Sequence, residues 1–170
     1  NRSVQSVLDV NGNKIINIVD VLCEYLNCKL DDLPSKLVDY NFAIEVNNEL
    51  YIRSVSKVDI ENRSISFFCD ISFGDILYLV KNKEFVSQTQ IDYRNYSSMK
   101  KQEPIGAILN DCILRRLLNS SSLKSLKTFN DIPLAGYSTF GELLGLNINQ
   151  TLTALFFYKV EENSEYYDDY

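Results

Sequence analysis

Residues 105–118 read IGAILNDCILRRLL and carry two incompatible patterns. Apolar positions at Ile105, Ile108, Leu109, Cys112 and Ile113 fit one long helix. Gly106 and the Asn110-Asp111 pair argue instead for a strand that stops at Leu109 or Asn110. A helix would then begin with Asp111 as its N-cap. Strand followed by helix is the preferred reading. It places Cys112, Arg115 and Arg116 in the first turns after a strand end.

Working outward, the N-terminal side holds VQSVLDV and KIINI around Asn11-Gly12-Asn13, which signals a β-hairpin. Ile18, Leu22, Tyr25 and Leu26 then share one helical face, and that helix is expected to end near Asn27. Asp31-Asp32-Leu33-Pro34 opens a turn or a short second helix. The runs FAIEV, ELYIRSVSKVD and SISFFCDI read as a three-stranded antiparallel meander, with polar turns at Asn47-Asn48 and Glu61-Asn62-Arg63. Gly74-Asp75 precedes a further strand, ILYLV. Residues 82–101 suit either a helix or a long connection. Beyond the central stretch, Ser120 to Ser122 and Asn130-Asp131 read as loop. IPLAGYS and QTLTALFFYKV read as strands separated by GELLGLNIN. The expected class is α+β, a mainly antiparallel β-sheet with a few packing helices. Residues 1–160 are expected to form one domain, and 161–170 an acidic, disordered tail or linker.

Composition excludes several function classes. The net charge is −6, and five of the negative charges fall in the last ten residues (Glu161, Glu162, Glu165, Asp168 and Asp169). The rest of the chain is near neutral and has no basic stripe, so no nucleic-acid partner is expected. No apolar run reaches the roughly 18 to 20 residues that span a bilayer, so no membrane insertion by this chain is expected. No signal peptide is seen, and a chain beginning with Asn1 suggests a fragment of a longer protein. The four cysteines, Cys23, Cys28, Cys69 and Cys112, lie in apolar surroundings, as reduced buried thiols do. That usage fits a reducing cytoplasm. The chain has no histidine, which removes the commonest general base and metal ligand together. No familiar nucleophilic triad can be assembled, and no metal or cofactor is expected.

Gly136-Tyr137-Ser138-Thr139-Phe140-Gly141 has the glycine spacing of a phosphate-binding loop. The following residues, Glu142 and Leu143, replace the Lys and Ser/Thr that such a loop requires. Ser138 also lacks the glycine two residues later that a nucleophile elbow needs. Two readings remain: a strand end that needs glycine for steric reasons, or a pocket rim formed by Tyr137, Thr139 and Glu142. Cys112 is either a buried small hydrophobe or a thiol activated by the helix start and the nearby arginines. Arg115 and Arg116 suit a solvated face, although one of them could clamp a ligand carboxylate. Cys23 and Cys28, five apart on a helix, are expected to diverge. Arg53 either points outward with the strand alternation or turns inward to a paired acid.

The motifs LYIRSV, IGAILNDCILRR, PLAGYSTFGE and NQTLTALFF, with the NGNKI turn and the helix holding EYL, together resemble the C-terminal domain of the FIST family (F-box and intracellular signal transduction proteins). The resemblance covers most of the chain and is sharpest in PLAGYSTFGE and NQTLTALFF. It implies a non-catalytic, intracellular sensory module that follows a FIST N-terminal domain and serves a signalling output domain. It also implies a small-molecule ligand, with an amino acid the leading suggestion. Some relatives are described as histidine-dependent haem sensors, a pattern this histidine-free chain departs from. By motif, the positions of interest are Arg53, Cys112, Arg115, Gly136, Tyr137, Gly141, Glu142, Asn149 and Thr151. The expected ligand-binding set is Arg53, Cys112, Arg115, Tyr137, Thr139, Glu142 and Asn149. Glu142 would meet a ligand amine, and Arg53 or Arg115 its carboxylate.

Overall fold

The computed structural model describes residues 2–9, 11–143 and 147–160. The chain opens with β1 (Ser3–Val4) and then the predicted hairpin, β2 (Ser6–Leu8) and β3 (Ile15–Asn17), around Gly12. Helix α1 (Ile18–Tyr25) starts where the Asn17 side chain accepts the Val19 N–H, satisfying a donor that the first turn leaves open. It stops at Asn27, whose positive φ of 48° no helix accommodates. Its buried face is Ile18, Val19 and Leu22, with Leu26 packed against them. Tyr25, expected on that face, is 71% exposed, because the stripe is centred one position earlier. A 3₁₀ turn over Leu30–Asp32 leads into α2 (Leu33–Lys36), with Pro34 in its first turn, where a missing N–H does no harm.

The strand-rich segment departs from the expected meander. It forms β4 (Tyr40–Val46), β5 (Glu49–Arg53), β6 (Val55–Asp59) and β7 (Ser64–Phe67), and ELYIRSVSKVD is broken at Ser54. Strand β5 pairs with β4, whose other edge takes β8 (Tyr78–Lys81). Strand β6 pairs with β7, which also takes β1. One continuous alternating run thus serves two sheets, since a bend between strands leaves the inside–outside alternation unbroken. Phe42 of the first sheet meets Phe67 of the second edge to face at 5.4 Å. The core around them comprises Val19, Leu22, Leu33, Leu37, Ile65 and Ile71, with Val19, Leu33 and Ile65 fully buried.

Residues 82–101, undecided from the sequence, contain α3 (Phe85–Ser98), whose N-cap Glu84 accepts the N–H groups of Val86 and Ser87. The central stretch forms β9 (Gly106–Cys112) and α4 (Ile113–Leu118), the preferred strand then helix. The N-cap is Cys112 rather than Asp111. Asp111 stays in the strand because its carboxylate is held by Arg115 one helical turn on. After a loop comes β10 (Leu134–Thr139), then a small hairpin of β11 (Glu142–Leu143) and β12 (Asn147–Ile148), and finally β13 (Leu152–Phe157). Strand β9 lies between β10 and β13. Its pairing with β10 is the only parallel one among the described strands, so the α+β, mainly antiparallel class holds.

Two compact units result: residues 1–83 with 140–151, and residues 84–139 with 152–170. The acidic stretch 161–170 and residues 144–146 of GELLGLNIN lie outside the described residues. In the second unit α3 covers one face of the β9 sheet. Phe156 of β13 stacks on Tyr96 at 4.9 Å and meets Tyr93 at 5.5 Å, while Tyr93 contacts Phe129 edge-on. The Tyr158 hydroxyl donates to that of Tyr96 at 3.0 Å, and burial pushes its pKa up.

Gly136 shows why the glycine of PLAGYSTFGE is there. A Cβ at this position would stand 1.9 Å from the backbone oxygen of Leu109 on β9, and φ is 156°. Gly136→Ala must therefore push β10 off β9. We expect a loss on the order of 3 kcal/mol in urea unfolding. Gly106→Ala, whose Cβ meets only Pro133 O at 3.4 Å, should cost under about 1 kcal/mol.

Candidate functional site

Asp111 is the last but one residue of β9, and α4 follows directly, so Asp111 and Arg115 meet at the usual four-residue spacing of a helical pair. Arg115 Nη1 donates to Asp111 Oδ1 at 2.9 Å, and Nη2 donates to Thr89 Oγ1 of α3 at 2.7 Å. Its guanidinium also lies over the Phe85 ring, 4.5 Å from the centroid. Both side chains of the ion pair are about seven-eighths buried, at 12% and 13% exposure. Removing one partner from such a pair leaves a charge without its counter-ion, so the pair fixes α4 against β9 and α3.

Next to this lock lies a cavity of ≈ 340 Å³. Its walls are mainly aliphatic and aromatic, with Leu109 and Leu152 from the sheet and Leu126 and Phe129 from the loop after α4. Arg116 and Asn130 also line it, beside the paired Asp111 and Arg115. Tyr137 borders it from β10, with its register opposite Asn110 setting its ring on the other face of the sheet from Leu109 and Leu152. A mainly apolar hollow with a few placed polar groups is how small-molecule sites are usually built, and this one sits at the small end of the roughly 300–1,000 Å³ such sites span.

Of the seven expected site residues, Arg115 and Tyr137 line this cavity together. Arg115 is engaged by Asp111 and Thr89 rather than open. Cys112 and Thr139 face each other in the β9–β10 register, and neither lines the cavity. Cys112 is completely buried. The other three belong to the first unit. Arg53 has turned inward, at 5% exposure, and donates to the backbone oxygen of Asn147, which ties β5 to the β11–β12 hairpin. No carboxylate among the described residues lies within ion-pairing distance, and its Nε meets no acceptor among them. No paired acid for the inward Arg53 is found among the described residues. Glu142 is paired through its backbone to Ile148. Asn149 is buried; its amide donates to Ile148 O at 3.3 Å, and its Oδ1 meets no donor among the described residues.

Arg116 and Asn130 reach the cavity although neither was in the expected set. Adjacent helical residues point about 100° apart, so RR at 115–116 supplies one packed and one open guanidinium without revealing which is which. Asn130 carried only a loop signal. Among the described residues no three side chains of His, Cys, Asp or Glu gather as a metal site would require.

Cys23 and Cys28 come together rather than diverge. The reversal at Asn27 folds Cys28 back so that its N–H donates to Cys23 O at 3.0 Å, and burial with the neighbouring Cys28 pushes the Cys23 thiol up. In the native protein, Cys112 should react with iodoacetamide more slowly than the half-buried Cys23 and Cys28. A peptide map after brief labelling measures this; early modification at Cys112 would reopen the reactive-thiol reading.

The profile of the FIST C domain family matches residues 19–144. This span holds both α1 and the β9–α4–β10 segment that walls the cavity. No curated protein and no solved structure gives a significant match. The family is one of signal-transduction sensory domains, generally non-catalytic. No helix among the described residues is long and apolar enough to cross a membrane. Matched over most of its length, the chain belongs to the FIST C domain family.

Proposed function

We propose that this chain is the ligand-sensing part of a signalling protein, binding a small molecule in the cavity beside Arg115 and Tyr137 without transforming it. An amino acid is the leading candidate. The observation that carries the reading is the cavity itself. It is bordered by a locked ion pair, lined by apolar side chains, and supplied with an open guanidinium and an amide, in a chain with no histidine to serve as base. Cytoplasmic location and a partner FIST N-terminal or output domain belong to the same proposal. So does a single domain over 1–160 with 161–170 as its linker. Arg53, Glu142 and Asn149 remain a second candidate group within the first unit, where an anion reaching Arg53 would neutralise a buried charge. Signalling would follow if the ligand binds one of two conformations better than the other.

A second reading, an interaction module without a small ligand, is supported by the uncovered face of the β9 sheet. Tyr137, Leu155 and Phe157 share that face and are 67%, 58% and 44% exposed. Such a surface suits a protein partner.

Titration calorimetry of the full chain against a panel of amino acids separates the two. Saturable heat with at least one member is expected, and it should be lost in Leu126→Trp, which fills the cavity, provided that variant melts cooperatively. A flat panel would remove the amino-acid reading and favour the interaction module.

A further inference from the structure

The polar groups around the cavity are unequally available. Both terminal nitrogens of Arg115 are bonded, to Asp111 and to Thr89, and Phe85 covers its face. Asp111 is correspondingly neutralised by Arg115. Arg116 lines the same cavity and has no hydrogen-bond or ion-pair partner among the described residues. The Asn130 side chain is also without a described partner, but an amide carries no charge. Asp111, Arg115 and Arg116 together leave one net positive charge at the wall, and it resides on Arg116.

The complement of that charge is an anion, and a planar guanidinium favours a carboxylate because two parallel N–H donors match its two oxygens. The rest of the wall (Leu109, Leu126, Phe129, Leu152) offers a guest no charge and asks for apolar surface. Among the described residues no unpaired acid lines the cavity to select an ammonium. We infer that the cavity takes a small carboxylic acid with a branched aliphatic or aromatic tail, its carboxylate on Arg116 and its tail among the leucines and Phe129, and that an α-amino group is dispensable. This rests on the cavity being the ligand site and names the chemistry that the site selects.

The test compares isocaproate, its neutral amide isocaproamide and the cation isoamylamine, which share one branched tail. Binding to the full chain is read by calorimetry and by shifts of the Phe129 ring and Leu126 methyl resonances. Isocaproate should bind about tenfold more tightly than the amide, the difference one charge-assisted hydrogen-bonded contact supplies, and isoamylamine should not bind. Arg116→Gln, on an exposed helical position, should bring the acid down to the affinity of the amide. Equal binding of acid and amide, or a preference that survives Arg116→Gln, overturns the assignment to Arg116 while leaving the cavity as a ligand site. If none of the three shifts the Phe129 ring or the Leu126 methyls, the cavity reading falls and takes this inference with it.

Discussion

The ion pair between Asp111 and Arg115 is the constraint on which the second unit turns. It joins the end of β9 to α4, and through Thr89 to α3, so three elements are held by one guanidinium. Two charges largely removed from water are tolerated because each finds the other and the remaining donor finds a hydroxyl. Apolar packing alone, which lacks direction, would leave α4 free to rotate. With α4 fixed, the loop that follows it is carried over the sheet, and the space beneath becomes a cavity rather than a continuous core. The close approach of β10 to β9 at Gly136 supplies the opposite wall. Lock, glycine and cavity are thus parts of one local arrangement.

The first unit solves a different problem. Its core is an ordinary aliphatic and aromatic one around Phe42, Phe67, Leu33 and Ile65. Against it stands Arg53, a buried guanidinium held by a backbone oxygen. A charge in such surroundings is stabilised only by what surrounds it. Its contact with Asn147 gives it a structural task, binding the β11–β12 hairpin to β5. The orphaned Nε and the nearly buried Asn149 Oδ1 show that this polar cluster is not fully satisfied among the described residues.

Much of this architecture is legible in the residues. Gly12 and Asn27 mark the hairpin and the end of α1 by turn chemistry that acts within a few residues, whereas the Asn17 cap emerges only in the structure. The Gly106 and Asn110-Asp111 breaks in IGAILNDCILRRLL correctly separate strand from helix. The family is likewise legible, and IGAILNDCILRR and PLAGYSTFGE lie inside the matched residues 19–144. What escapes is what depends on distant partners. ELYIRSVSKVD looks like one strand because a change of sheet at Ser54 preserves the alternation. Asp111 looks like an N-cap because its claim by Arg115 is a matter of side-chain geometry. The cavity residues were half legible: Tyr137 and Arg115 carry recognisable chemistry, whereas Arg116 and Asn130 matter only through where the fold points them.

The central claim is that two neighbouring arginines have opposite states, one engaged by the protein and one open to a guest. Side-chain guanidinium NMR of the full chain, followed as isocaproate is added, addresses it directly. The Arg116 Nε–H resonance should move progressively with ligand while that of Arg115, held by Asp111 and Thr89, stays in place. Movement of the Arg115 signal with Arg116 unchanged would contradict the account.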